Sequence, residues 1–239
     1  MNTSFKRIAA YIIDIVIVSL VVFIFTNVKE INFQLKDYNK TYEKYSELYK
    51  KQEKLSKKYE TAKDDYKDKK ITKKELNKVK DNYKRAVKKY EKSTKLYTYK
   101  LAKYSVFSTS ISIAVTLLYF GIIQFVLGGQ TIGKKILKIK VIKNSDGKLN
   151  AFNFLLRSFI LNSVWANLIL VISVNFINKG NYYTLNYYVS NILYIVELVI
   201  LIMVFMNKDA RGLHDVIANT KVVDIKNKDE NEYIKPKKR

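Results

Sequence analysis

Apolar and polar positions separate into long blocks along this chain. Four blocks, 8–26, 105–127, 159–177 and 185–206, are apolar over the roughly 17–25 residues that a helix needs to cross a hydrocarbon layer. The third also carries Asn162, Asn167 and Asn175, whose amides are expected to face neighbouring helices and not lipid. Between the first two blocks the period changes. Tyr38, Tyr42, Tyr45 and Tyr49, then Tyr59, Ala62 and Tyr66, recur in steps of three and four, and Leu76, Val79, Tyr83, Ala86, Tyr90, Tyr97 and Tyr104 continue the spacing after a polar break. Such spacing lays one stripe along each of two helices, as in a coiled coil. The break, DKKITKKE, places Thr72 to cap the second helix while Glu75 reaches back to it. Tyrosine in the seam keeps a polar tip near water and packs more softly than leucine.

These elements predict an all-α polytopic membrane protein with about four transmembrane helices and an inserted antiparallel coiled-coil hairpin. The expected divisions are 1–28 for the first transmembrane helix, 29–104 for the hairpin, 105–224 for the rest of the membrane domain and 225–239 for a basic flexible tail. After the second block, alternating Ile136, Leu137, Ile139 and Val141 read as an amphipathic segment at the membrane surface, closed by a turn at 144–147.

Charge sharpens the picture. The 44 Lys and Arg and 21 Asp and Glu, for a net +23, fall mostly outside the apolar blocks. Short loops orient membrane proteins by their Lys and Arg, and long loops do not. Lys6 and Arg7 precede the first block and Lys134, Lys135, Lys138 and Lys140 follow the second, so both termini and the second loop are expected to be cytoplasmic. The hairpin is then exoplasmic, although 25 Lys and Arg face 12 Asp and Glu between Lys29 and Lys103. The first block lacks a small-residue cleavage pattern before Lys29 and is read as a retained anchor, not a signal peptide.

Absent cysteine and a lone histidine, His214, leave no thiolate chemistry and no histidine metal cluster, and no cofactor fingerprint or nucleophile–base pair stands out. The expectation is a protein that is not an enzyme and has no cofactor, catalytic residue or metal site. The informative residues are ionisable ones inside apolar blocks, which cost several kcal/mol unless partnered. Asp14 lies two turns beyond Arg7 on the same helix face, and Glu197 lies near the centre of the fourth block. Arg157, Arg211 and Asp215 are expected at the same membrane face as Arg7, making Arg7, Asp14, Arg157, Arg211 and Asp215 a candidate ion-pair network. GGQTIGKK does not complete the G-x-x-x-x-G-K-[ST] pattern of a phosphate-binding loop, having Lys135 where the pattern needs Ser or Thr.

The chain resembles the RDD family of bacterial membrane proteins, named for one arginine and two aspartates. The likeness rests on RIAAYIID, GGQTIGKKILKIKVI with Asp146-Gly147, Leu156-Arg157 and ARGLHDVIANTKVV, covering 5–26 and 106–224. It implies Arg7 as the family arginine and Asp14 and Asp215 as its aspartates, in proteins for which transport of unidentified ligands has been suggested. Two departures are Ile132, where the family often has proline, and the Tyr/Lys hairpin.

Two functions are therefore expected to compete. In one, intramembrane Asp14 and Glu197 bind a small ion, proton or solute, with Arg7, Arg157 and Arg211 balancing charge in a cell-membrane transporter; four spans being few, it would act as a homo-oligomer. In the other, the lipid-embedded part anchors a basic hairpin that contacts an anionic envelope polymer or a partner protein. Nucleic acid is not an expected partner of an exoplasmic segment.

Overall fold

The computed structural model describes residues 3–225, so all but the first residue of the expected 225–239 tail lies outside the described residues. In chain order the elements are α1 (Thr3–Asn27), α2 (Leu35–Lys67), α3 (Lys73–Tyr104), α4 (Val106–Leu117), a π-helical stretch (Leu118–Ile123), α5 (Gln124–Val126), α6 (Ile132–Ile136), β1 (Ile139–Lys143), α7 (Ala151–Leu161), α8 (Val164–Phe176), α9 (Lys179–Met206), α10 (Leu213–Ile217) and β2 (Thr220–Asp224). The fold is all-α apart from one short strand pair. The helices α1 and α9 and the run Val106–Val126 are long and apolar enough to cross a membrane, and α7 with α8 makes a fourth span if the bent pair is counted as one.

Two compact units divide the described chain. The first comprises 3–32, 107–172 and 186–225. In α1 the buried residues Arg7, Ala10, Asp14 and Val18 step by three and four along one face, while Ile12, Val16, Leu20 and Phe23 are exposed. On α9, Ile195, Leu198, Ile202 and Phe205 are exposed as well. Apolar belts of this size have acyl chains, not water, as their natural solvent.

The third span departs from expectation. Instead of one straight helix over 159–177, α7 starts at Ala151 and meets α8 at an angle of 71°. Ser163 adopts a left-handed φ of 56°, and the Asn162 amide turns back to donate to Ser158 Oγ at 3.0 Å. Short polar side chains offer the backbone alternatives to the helical ladder, and here they end α7.

A second correction concerns the alternating segment expected to lie as an amphipathic stretch at the membrane surface: Ile136 closes α6, and Ile139 and Val141 belong to a strand packed into the core. β1 pairs antiparallel with β2, with Val141 opposite Val222 and Lys143 opposite Thr220. Period-two alternation buries Ile139 and Val141 against Ala10, Phe154 and Val222 while Lys140 and Ile142, on the other face, are half-buried. Gly129, at a φ of 98°, lets its carbonyl accept from the Val141 amide at 2.9 Å, and a Cβ there would strike the Val141 carbonyl.

The second unit, 33–106 with 173–185, contains α2 and α3 as two antiparallel arms. Tyr45 stacks with Tyr90 at 6.3 Å and Tyr59 with Tyr83 at 5.0 Å, so rising positions on one arm meet falling positions on the other. The capping box is formed: the Glu75 amide donates to Thr72 Oγ1 at 3.3 Å, and the Thr72 amide donates to Glu75 Oε2 at 2.8 Å. The packed seam is narrower than the tyrosine stripe, because Tyr42, Tyr49 and Tyr66 are exposed. The first turns of α9 join this unit through an edge-on contact between Tyr182 and Tyr99.

Candidate functional site

The candidate ionisable residues of the first unit are arranged around two buried acid centres, with Glu197 apart from both. At the first centre, Asp14 on α1 is fully buried. Its Oδ1 accepts from the Tyr119 hydroxyl at 2.7 Å and the Gly133 amide at 2.8 Å, and its Oδ2 accepts from Thr131 Oγ1 at 2.5 Å. Lys134 Nζ stands 3.7 Å from Oδ2 and donates to Thr131 Oγ1 at 3.2 Å. The π-helical stretch turns Tyr119 inward; an extra residue per turn shifts the side chains beyond it, a device common at functional positions. The α6 turn brings the Gly133 amide close enough to donate because Gly133 has no Cβ, which would overlap the Ala10 carbonyl.

Asp215 on α10 organises the second centre. Its Oδ2 accepts from Arg7 Nη2 and from the Gly212 amide at 3.1 Å, and its Oδ1 accepts from Arg157 Nη1 and from Thr220 Oγ1 at 3.0 Å. Arg7 Nη1 also donates to the Ala210 carbonyl. One carboxylate thus takes two guanidiniums from two helices, with both oxygens satisfied, as buried charge requires. His214 Nε2 lies 3.3 Å from Arg7 Nη2 and 3.2 Å from Asp215 Oδ2, and its Nδ1 has no hydrogen-bond partner among the described residues. Burial and the positive charges of Arg157, Arg7 and Lys134 hold the imidazole well below its ordinary pKa, so it is neutral.

The expected five-member network is therefore corrected. Arg7, Arg157 and Asp215 come together, but among the described residues Asp14 takes its hydrogen bonds from Tyr119, Thr131 and Gly133 and its ion pair from Lys134, and none from an arginine. Arg211 binds backbone, donating from Nε to the Thr220 carbonyl at 3.0 Å and from Nη2 to the Asp215 carbonyl at 3.3 Å. Glu197 belongs to neither centre; it accepts from Ser163 Oγ at 3.3 Å. Sequence reading passed over Tyr119, Thr131, Gly133 and Lys134. For the last three the signal was present in GGQTIGKK, which offers a hydroxyl, a bare amide and a cation within four residues of each other.

Two cavities adjoin these groups. A larger one of about 610 Å³ is lined by hydroxyls and amides, among them Ser19, Thr26, Ser112, Thr116, Asn162 and Asn167. A smaller one of about 280 Å³ has Arg7, Lys134, Arg157 and His214 on its wall with Ile8, Ile200 and Val204. Tyr11, Leu161 and Glu197 line both.

Lys134 carries a consequence for stability. Burial, reinforced by Arg157 and only partly offset by Asp14, pulls its pKa from 10.5 to about 7. Between those values the unfolded chain holds a proton that the folded chain has lost, so stability rises with pH across that window; below it this group adds no pH dependence, and its full cost is present. The thermal midpoint of the detergent-solubilised protein is expected to climb from pH 7 towards 10, and Lys134→Met to flatten the climb.

No curated protein and no solved structure matches the chain. The RDD family model matches residues 2–219, taking in Asp14 and Asp215 with the arginines and lysine beside them, and β1, and stopping just before β2. With an arginine and an aspartate on α1 and a second aspartate clasped by two arginines, over a match spanning most of its length, the chain belongs to the RDD family.

Proposed function

We propose that this membrane protein transports a small ion or solute across the cell membrane, with Glu197 as the intramembrane group that takes up and releases the charge. The observation that carries this reading is that the two cavities share Tyr11, Leu161 and Glu197, so one carboxylate stands between a hydroxyl- and amide-lined chamber and a cationic one. Asp14 and Asp215 have their oxygens taken by donors and are positioning groups, whereas Glu197 has one weak hydrogen bond and no ion pair among the described residues. A carboxylate so lightly engaged inside an apolar span is free to exchange a proton or cation. The reading is of a non-enzymatic, homo-oligomeric protein whose termini and second loop face the cytoplasm, where their lysines and arginines favour them.

Proteoliposomes holding the full chain test it. Ion or proton flux under an imposed gradient is expected, falling by at least about tenfold in Glu197→Gln; a variant as fast as the parent overturns the assignment.

The exposed tyrosines and basic arms of the hairpin favour a second role for residues 29–104, contact with an anionic envelope polymer or partner protein. Deleting the hairpin while flux persists would assign it to that role.

A further inference from the structure

The smaller cavity has a composition that a path for bare cations does not need. One part of its wall is cationic, with Arg7, Arg157 and Lys134, and another is aliphatic, with Ile8, Ile200 and Val204. Around it, among the described residues, the three cations pair with two buried carboxylates, Asp14 and Asp215, while Glu197 on the same wall forms an ion pair with none of them. Both oxygens of Asp215 are used by arginine, and Lys134 reaches Asp14 only loosely, at 3.7 Å. Burial first, and then the charges of Arg157 and Arg7, pull the Lys134 pKa down to about 7. His214 adds an independent sign: it is 2 % exposed, lies on this wall, and leaves Nδ1 unpartnered. Nε2 stands within reach of both Arg7 and Asp215, and Nδ1 is left as an unused polar atom among the described residues. Buried polar atoms normally have partners, so an unpartnered ring nitrogen on a residue of a cavity wall is a feature that a ligand can account for.

We propose that this cavity is a binding site for a monoanion with a carboxylate- or phosphate-sized head and a short apolar body, seated with its head at Lys134 and the arginines and its body against Ile8, Ile200 and Val204. Its volume, about 280 Å³, is at the small end for ligand sites and fits a body of a few carbons. Whether the head belongs to a free organic acid or to a membrane lipid, the recognising chemistry is the same. That the anion is the transported solute rests on the transport reading above; that it binds does not. Glu197, on the wall shared with the polar chamber, would then hold the proton that travels with it.

Equilibrium binding of radiolabelled hexanoate to the full chain in nanodiscs of neutral phosphatidylcholine tests the site. Saturable binding is expected, with hexanol and hexylammonium at least about tenfold poorer as competitors. Lys134→Met should weaken binding about tenfold, and Ile200→Phe, which fills the aliphatic side without touching a charge, should abolish it. Loss of hexanoate binding in nanodiscs containing anionic phosphatidylglycerol would support the site and identify lipid as the source of its anion; unchanged binding would support a free acid. Hexanoate competing no better than hexanol, or both variants binding like the parent, overturns the proposal. Ion flux without hexanoate binding removes the anion site and leaves the transport reading, and binding without any flux does the reverse.

Discussion

Asp215→Ala is expected to leave little folded protein. Arg7 and Arg157 are both almost fully buried, and Asp215 is the only carboxylate either one pairs with among the described residues. Removing one partner from a buried ion pair costs about 3–5 kcal/mol, because the remaining charge stays desolvated without compensation. Here two guanidiniums lose their partner together, and Thr220 and the Gly212 amide lose an acceptor as well. Size-exclusion profiles and thermal midpoints in detergent would read the effect. Asp215→Asn keeps the shape and some hydrogen bonds and should be milder. Combining Asp215→Asn with Arg157→Met should recover part of the loss, since the double variant buries one unpaired cation where the single buries two. A double variant no more stable than Asp215→Asn alone would refute the shared-carboxylate account.

The next largest effect is expected from Gly133→Ala. Gly133 has no left-handed φ to preserve, so the change is neutral for the backbone itself. Its cost is steric: the new Cβ would press into the Ala10 carbonyl and lie 2.9 Å from Asp14 Oδ1. To relieve this, α6 must back away from α1, drawing the Gly133 amide and Thr131 hydroxyl off a carboxylate that has no water to replace them. Overpacking of this kind costs about 1–3 kcal/mol, and stranding a buried acceptor adds about as much again. Gly180→Ala, whose Cβ would meet nothing nearer than 3.4 Å, is the matched control and should move the thermal midpoint little. Equal midpoints for the two variants would show that the α1–α6 contact yields easily and that Asp14 is not held by it.

How far the sequence could be read differs from place to place. The acid on the first helix had to face inward, since a carboxylate in hydrocarbon is too costly, and Asp14 is fully buried. Its partners were misassigned because helical spacing relates only Arg7 to Asp14 along one face, and two turns apart they do not touch. Arg7 instead reaches Asp215, more than two hundred residues away in the chain. No periodicity reports a pairing of that range.

The strand pair failed for a related reason. A run such as KIKVIK alternates by two whether it lies on a membrane or in a sheet, and a five-residue strand becomes one only when a partner supplies its hydrogen bonds. That partner, β2, is some eighty residues later and follows directly on the GLHD turn that carries Asp215.

What the sequence determined by itself was set by local physics: apolar runs long enough to span lipid, a cap at Thr72 and Glu75, a three-and-four stripe on each hairpin arm, and the inward facing of charges too costly to expose. The tertiary structure alone decided which donors each carboxylate receives, where the third span breaks, and that Glu197 is left between two cavities with scarcely a partner. Those outcomes depend on which surfaces meet when separate helices pack, and contacts between distant segments are fixed by shape and by the need to satisfy every buried polar group at once.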